Sequence, residues 1–194
     1  MKKCLENNKI GLVIMASGLG KRFGGNKLMA EIKGKPMLSY ILDASEGLFF
    51  KRVVVTRSHA VEEFCTERGI DCIIHEMPFR SDTVRLGLEW MGEDIAACCF
   101  ASADQPMLSK NSLEELICSS CEKPEFIYRL SFKGTPGNPI LFPGKLFEDL
   151  KNLPEGKGGG YVANGNPDLV RFVEAADEME LFDIDTKEDL EKCK

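Results

Sequence analysis

A glycine-rich segment with three nearby cations is the part of this sequence best suited to chemistry. It reads MASGLGKRFGGNKL and spans 15–28. Its glycines and cations are Gly18, Gly20, Gly24 and Gly25, and Lys21, Arg22 and Lys27. Glycine lets backbone amides approach an anion closely. Arginine can bind phosphate oxygens through paired hydrogen bonds, and lysine acts as a mobile point charge. The segment therefore predicts a phosphate-binding loop.

The spacing within this loop excludes two familiar nucleotide motifs. The dinucleotide pattern GxGxxG needs a glycine where the chain has Phe23, and a Walker A loop needs Gly-Lys-Ser/Thr where the chain has Gly25-Asn26-Lys27. The alternative is a solvated glycine-rich turn. Because the loop directly follows an apolar run that predicts a strand, we favour the phosphate loop.

A second candidate follows another apolar run, IAACCFASA (95–103), where Asp104 precedes Gln105 and Pro106. A carboxylate at the end of a central strand beside a polyphosphate is suited to Mg²⁺, a hard cation that prefers oxygen ligands. The alternative is an Asp that caps a turn before Pro106.

The third candidate is an acidic cluster near the carboxyl end of the sequence. Asp183 and Asp185 alternate, so they project to one side if the segment is a strand. Thr186 can also be the N-cap of a following helix, with Glu188 and Asp189 in its first turn. These two interpretations are compatible.

The elements that must position these groups alternate along the first half of the chain. Strands are predicted at 10–16, 52–56, 71–75 and 95–103, and helices at 36–45, 60–68, 82–91 (with Ser81 or Asp82 as cap) and from about Ser109. Continuous apolar strands alternating with helices predict an α/β fold, a three-layer sandwich with a mostly parallel, Rossmann-like central sheet. The loops after the strands, 16–27, 76–83 and 102–107, then share one edge, where ligands bind.

After residue 125 the pattern changes to short strands at 126–132, 138–142 and 170–175, typical of an elaboration that completes a site. We therefore expect one domain over 1–194.

Composition limits the partners and the compartment. The formal net charge of −6 gives no support to a general nucleic-acid binder. Lys2 and Lys3 precede a polar stretch, not an apolar one, so we expect no signal peptide. No apolar run is long enough to span a membrane. We expect a cytoplasmic protein with reduced thiols. The pair Cys118 and Cys121 lacks the further ligands that a zinc site needs, so we expect ordinary, partly buried thiols there.

These motifs together resemble the signature of the GT-A-like nucleotidyltransferase superfamily, A-A-G-x-G-x-R-M-G-x-x-K, with Ser17 and Phe23 as substitutions. The string ADQP at 103–106, the string DIDTKEDL at 183–190 and the stretch RSDTVRLGL at 80–88 resemble segments of its MobA/MocA-like, molybdenum-cofactor members. The segments around 134–142 and 155–160 are similar to those of the cytidylyltransferase subgroup, although Asn138 replaces the usual His and Glu155-Gly156 the usual Gly-Asp.

The resemblance implies that about 1–125 would form the nucleotide-binding half of the domain and about 126–194 the acceptor-binding half that completes the site. It also implies a role for each group of residues. The nucleotide would be bound by Ala16, Ser17, Gly18, Gly20, Lys21, Arg22, Lys27, Ser81, Thr83 and Asp104. Arg22, Lys27 and Asp104 would be catalytic, and Ser81 and Thr83 would lie beside the base. Mg²⁺ would bind Asp104 and a carboxyl-terminal aspartate, Asp185 in preference to Asp183. The acceptor would contact Gly137, Asn138 and Lys157.

The implied activity is a Mg²⁺-dependent transfer of CMP from CTP to the phosphate of molybdopterin, with release of pyrophosphate. A molybdoenzyme or its chaperone would be a further partner. Within the same class, the donor could be GTP and the acceptor a sugar or polyol phosphate. From another class, the chain could be a non-catalytic nucleotide-binding accessory protein for cofactor maturation.

Overall fold

Apolar runs of the sequence form the strands of one seven-stranded sheet in the computed structural model, which describes residues 8–193. In chain order its strands are β1 (Ile10–Ala16), β4 (Lys51–Thr56), β5 (Cys72–Ile74), β6 (Ala97–Ser102), β7 (Ile127–Phe132), β8 (Thr135–Pro143) and β9 (Val170–Glu174), while β2 (Glu31–Ile32) and β3 (Lys35–Pro36) form a separate hairpin. The sheet order is β5-β4-β1-β6-β8-β7-β9, and β8 runs antiparallel to β6 and β7. The other pairs are parallel, which confirms the predicted mostly parallel sheet.

Helices cover both faces of the sheet. They are α1 (Met37–Ala44), α2 (His59–Glu67), α3 (Arg80–Met91), α4 (Lys110–Glu122), α5 (Phe147–Lys151), α6 (Gly159–Gly165) and α7 (Lys187–Glu191), with 3-10 turns at Lys27–Met29, Gly144–Leu146, Pro167–Leu169 and Glu178–Leu181. One core cluster joins the sheet to α1, α2 and α4, and a second joins it to α3, α5 and α6. The three-layer α/β/α architecture is therefore confirmed.

Strand β1 is the centre of this arrangement because both of its faces are buried. Leu12 and Ile14 pack into the first cluster, and Val13 packs into the second. Helix α3 lies close over β1 at Gly87, where an added Cβ would be 2.6 Å from Val13 Cγ1. This close packing brings the start of α3 to the carboxyl edge of the sheet.

Three local predictions are corrected by the structure. Helix α3 begins at Arg80 after Phe79, so neither Ser81 nor Asp82 is its cap; the Asp82 carboxylate instead accepts a hydrogen bond from Phe79 N at 3.1 Å. Strand β8 starts at Thr135, earlier than predicted, because a turn at Lys133 with a φ of 48° closes a hairpin with β7.

The third correction concerns the acidic cluster. The segment with Asp183 and Asp185 forms no strand. The helix cap expected after it is confirmed, since Thr186 Oγ1 accepts from Asp189 N at 3.1 Å.

The cysteines differ in burial along the chain. Cys98 and Cys99 are buried within β6, and burial raises the pKa of both thiols, as expected for small core residues. Cys118 is half-buried, whereas Cys121 is exposed. Among residues 8–193, no helix is long and apolar enough to cross a membrane. Lys2 and Lys3, on which the prediction of no signal peptide rests, lie outside the described residues.

Candidate active site

The predicted phosphate loop leaves β1 and folds into a tight turn at Gly20. The Gly20 carbonyl accepts hydrogen bonds from Phe23 N at 3.0 Å and Gly24 N at 3.1 Å. Gly20 has a φ of +56°, and a Cβ there would lie 2.5 Å from the carbonyl oxygen of Gly25. Both the backbone angle and the lack of space require glycine at this position. The turn brings the chain round to Lys27, which begins the 3-10 turn that follows the loop.

The hydroxyl of Ser17, at the start of the loop, is already engaged by the protein. Ser17 Oγ donates to the Val55 carbonyl at 3.1 Å and lies 2.8 Å from His75 Nε2. The hydroxyl can make both bonds at once when it donates to Val55 and His75 carries its ring proton on Nε2. Arg57 Nε donates to the Ser17 carbonyl at 3.1 Å. The Ser17 hydroxyl therefore anchors the loop to β4 and to the residue that follows β5. Alanine could not make these two contacts.

Two cations of the phosphate loop, Arg22 and Lys27, meet three aspartates from other parts of the chain. Lys27, only 7% exposed, donates to Asp104 Oδ2 at 2.7 Å and to Asp185 Oδ1 at 3.0 Å. Arg22, which is exposed, bonds Asp185 Oδ2 at 2.7 Å. Burial disfavours the charged form of Lys27, but Asp104 and Asp185 outweigh burial and raise its pKa. Desolvation and the charges of Asp104 and Asp185 raise the pKa of Asp183 to about 6. The phosphate loop, the segment after β6 and the carboxyl-terminal segment thus contribute to one charged cluster.

Partly buried hydrogen bonds hold the carboxyl-terminal segment against the segment that follows β6. Ile184 N donates to the Asp104 carbonyl at 3.0 Å, and Gln105 Nε2 donates to the Leu181 carbonyl at 3.1 Å. Glu180, 4% exposed, accepts from Ser109 N at 3.0 Å, at the start of α4. Glu180 accepts from a second backbone amide as well, so it joins two segments that are distant in sequence. Sequence reasoning missed Gln105 and Glu180, because a single acid or amide in a polar segment carries no pattern.

The aspartate cluster offers suitable ligands for a hard divalent cation. Asp104 Oδ1 is buried and has no hydrogen-bond partner in the described chain, so it is an oxygen that an ion could complete. Among residues 8–193, no three acidic, histidine or cysteine side chains are already arranged to enclose an ion. The ammonium of Lys27 instead bonds both Asp104 and Asp185. The donor set fits a divalent ion if Lys27 gives up these two bonds.

A cavity of about 220 Å³ opens between the phosphate loop and the start of α3. Its lining residues are Met15, Ser17, Gly18, Arg57, Pro78, Phe79, Arg80, Thr83, Ser102 and Asp104. The hydroxyl of Thr83 is buried and has no hydrogen-bond partner among residues 8–193. An unpartnered hydroxyl on a cavity residue is suited to bind a ligand group such as a base edge. Ser81, predicted beside the base, is also buried in the first turn of α3.

A second cavity, of about 340 Å³, adjoins the first. Met15, Arg80 and Ser102 line both cavities. The rest of the second lining is Phe100, Arg129, Asn138, Ile140, Phe142, the segment 156–161 and Asn164. This cavity brings together two residues predicted to contact the acceptor, Asn138 and Lys157.

The remaining predicted residues have other surroundings. Gly137 packs against Leu181, whose Cδ2 would be 2.6 Å from an added Cβ, and its carbonyl accepts from Arg129 Nε at 2.9 Å. Ala16 is buried, and its carbonyl accepts from a threonine hydroxyl of β4. Lys21 is exposed on the loop. Arg80 and Arg129, which the structure places at the second cavity, were not predicted there.

Comparison with known proteins identifies a family and several similar proteins. The family model of the MobA-like NTP transferase domain matches residues 12–170, a range that includes the phosphate loop and the second cavity. The purine catabolism protein PucB of Bacillus subtilis is 30% identical over 198 residues, covering 91% of this chain and 92% of PucB. A probable molybdenum cofactor guanylyltransferase of Pyrococcus furiosus is 26% identical, covering 93% of this chain and 94% of that protein.

Other similar proteins are longer or more distant. The bifunctional protein GlmU of Thermoanaerobacter pseudethanolicus is 28% identical over 88% of this chain, which spans only 35% of GlmU. Among solved structures, Rv0371c of Mycobacterium tuberculosis H37Rv has a TM-score of 0.84 at 21% identity, covering 96% of this chain and 97% of that one. A complex of Rv0371c with manganese has a TM-score of 0.75 at 18% identity, with coverage of 96% and 98%. These two likenesses establish a shared fold.

Proposed function

The chain belongs to the MobA-like NTP transferase family, and from this premise we propose that it transfers CMP from CTP to the phosphate of a molybdopterin-type acceptor. One observation carries the proposal. The cations of the phosphate loop and the aspartates at the end of β6 and near the carboxyl end meet beside two adjoining cavities. Adjoining cavities allow a donor and an acceptor to be held next to each other.

The proposed reaction needs no nucleophile from the protein. An oxygen of the acceptor phosphate forms a bond to the α-phosphorus of CTP, and the bond from that phosphorus to the β-phosphate oxygen breaks. Pyrophosphate leaves with the electron pair. Both reactants are negatively charged, so the chain acts by positioning them and by stabilising charge. Arg22 and Lys27 would give up their bonds to the aspartates and bind the triphosphate.

Mg²⁺ fits the aspartate cluster for the reasons given above, and Asp104 and Asp185 would hold it, with Asp183 beside them. When bound, the ion would neutralise phosphate charge and help to orient the transferred group. The buried, unpartnered Oδ1 of Asp104 supports its role as the principal ligand. The same oxygen argues against the non-catalytic alternative, since a simple nucleotide binder has no need for a carboxylate beside the phosphates.

The two cavities support the proposal that, within one domain of 194 residues, the first half binds the nucleotide and the second half binds the acceptor. The first cavity is lined entirely by residues of the half before 126, whereas most of the lining of the second comes from the half after it. Thr83 lines the first cavity, and its buried hydroxyl has no partner within residues 8–193, which supports recognition of a base there. The resemblance of its segment to cytidylyltransferases favours cytosine, and the likeness to a probable guanylyltransferase makes GTP the second candidate.

The test is a calorimetric titration of the protein with each of the four NTPs and Mg²⁺, followed by pyrophosphate release with phosphorylated acceptors. We expect CTP to bind most tightly, and turnover to require both Mg²⁺ and an acceptor phosphate. The matched control is the same acceptor without its phosphate. If GTP binds best, the donor is reassigned. If no NTP binds in the presence of Mg²⁺, the proposal fails.

A further inference from the structure

The second cavity carries an excess of positive charge. Arg80, Arg129 and Lys157 line it, and among the described residues no carboxylate does. The neutral polar groups Ser102, Asn138 and Asn164 complete its polar surface. A cavity lined by cations without an internal counter-ion is suited to an anionic ligand, because field lines concentrate in it.

Arg129 is held in this cavity by the sheet. It lies in the middle of β7 and is half-buried. Its Nε donates to the Gly137 carbonyl at 2.9 Å, which is the one hydrogen bond found for this guanidinium within residues 8–193. The terminal nitrogens of the guanidinium therefore remain as donors at the cavity. Burial lowers the pKa of Arg129, so an anion that restores lost solvation would be bound favourably.

Arg80 lies on the boundary between the two cavities, because it lines both. As the first residue of α3 it is exposed, and no hydrogen bond or ion pair of its side chain is found in the described chain. Its aliphatic part lies against Gly158, where an added Cβ would be 2.8 Å from Arg80 Cδ. The glycine-rich segment 156–160 thus leaves room for the Arg80 side chain.

We propose that Arg80 and Arg129 form a phosphate-binding site in the second cavity, with Arg129 fixing the anion and Arg80 directing it towards the first cavity. Two guanidinium groups can bind several oxygens of one phosphate, which a single surface lysine cannot do. That the anion is the phosphate of the acceptor rests on the proposed function. The anion site itself stands on the cavity and its cations.

An amide-resolved NMR titration with inorganic phosphate tests the site without requiring the natural acceptor. The phosphate loop can also bind phosphate, so the Arg22→Gln variant serves to weaken that site. In the wild type and in Arg22→Gln, we expect phosphate to shift the amide signals of 158–160. In Arg80→Gln and Arg129→Gln, the affinity measured from these signals should fall at least about tenfold, the loss of one or more hydrogen bonds to a charged group.

The matched control is Arg171→Gln, the same change on the neighbouring strand β9, where the guanidinium stacks on Phe126. It should leave the response of 158–160 unchanged. If Arg129→Gln disturbs the fold, Arg129→Lys and the exposed Arg80→Gln carry the test. Phosphate shifts confined to the amides of 18–25, or an unchanged response of 158–160 in Arg80→Gln, would overturn the proposal. Neither result depends on turnover, so a failure of the proposed reaction would be seen separately in the NTP assay.

Discussion

Replacing Asp104 by Asn removes one charge from the centre of the site and almost nothing from its shape. The Asp104 carboxylate accepts from Lys27 Nζ at 2.7 Å, and its second oxygen has no partner in the described chain. Breaking a buried ion pair costs about 3–5 kcal/mol. Here Asp104 is partly exposed, Lys27 keeps Asp185 at 3.0 Å, and one of three clustered negative charges disappears. We therefore expect a loss of only about 1–2 kcal/mol in the free energy of unfolding.

The effect on turnover should be far larger. Loss of one preorganised group that stabilises transition-state charge costs roughly 10²–10³ in kcat, or about 3–4 kcal/mol. The measurements are urea unfolding and Mg²⁺-dependent pyrophosphate release on the same preparation. Asp43→Asn is the matched control, because its carboxylate forms an exposed pair with Lys35 at 2.6 Å and should affect neither quantity strongly. Unfolding of the Asp104 variant with its specific rate preserved would refute a chemical role for this residue.

Four further predictions follow from particular contacts. Lys27→Met should bind Mg²⁺ more tightly without nucleotide, because no ammonium competes for the carboxylates, yet turn over at least about tenfold more slowly; calorimetry and kinetics measure the two effects. Thr83→Val should weaken NTP binding about tenfold while Thr83→Ser does not, since valine leaves the ligand without the hydroxyl that would bond it. Burial, with a nearby arginine, lowers the pKa of His75, so the folded protein binds fewer protons than the unfolded one just below pH 6.5. The free energy of unfolding should therefore fall as the pH drops through that value. Urea unfolding should show a less steep fall in His75→Asn. Gly87→Ala should destabilise the fold by about 1–3 kcal/mol in thermal melting, because its Cβ would overlap Val13, and an unchanged melting temperature would contradict the packing described.

The sequence could predict the part of the site that depends on the parallel sheet. Apolar strands that alternate with helices place all following loops on one edge, and this rule alone brings the phosphate loop near Asp104. Lys27 and Asp104, 77 residues apart, are indeed hydrogen-bonded at 2.7 Å. The strand pattern was sufficient here because the phosphate loop follows β1 and Asp104 follows β6, two parallel strands of the same sheet.

The second cavity could not be predicted in the same way. Arg129 interrupts an otherwise apolar strand and would pass as a solvated cation on an outer strand. Its direction depends on β8 inserting antiparallel between β6 and β7, and no local pattern encodes that order. Arg80 was visible within a motif, but its role depends on the space that Gly158 leaves beside it. The hydroxyl of Ser17 likewise finds His75 only because β4 and β5 are neighbours.

The ion pairs of the site suggest that binding of the nucleotide and binding of the metal are coupled. Lys27 and Arg22 are bonded to aspartates, so the cations predicted to bind phosphate are also the counter-ions of the carboxylates. A nucleotide that draws these cations away would leave Asp104 and Asp185 uncompensated, at a cost that grows with their burial. A divalent ion bound with the nucleotide would offset this cost, with Asp104 and Asp185 holding it in place of the ammonium of Lys27. This exchange would account for a buried lysine that bonds two carboxylates beside the phosphate loop. On this reasoning the binding of the nucleotide and the binding of the metal would each favour the other.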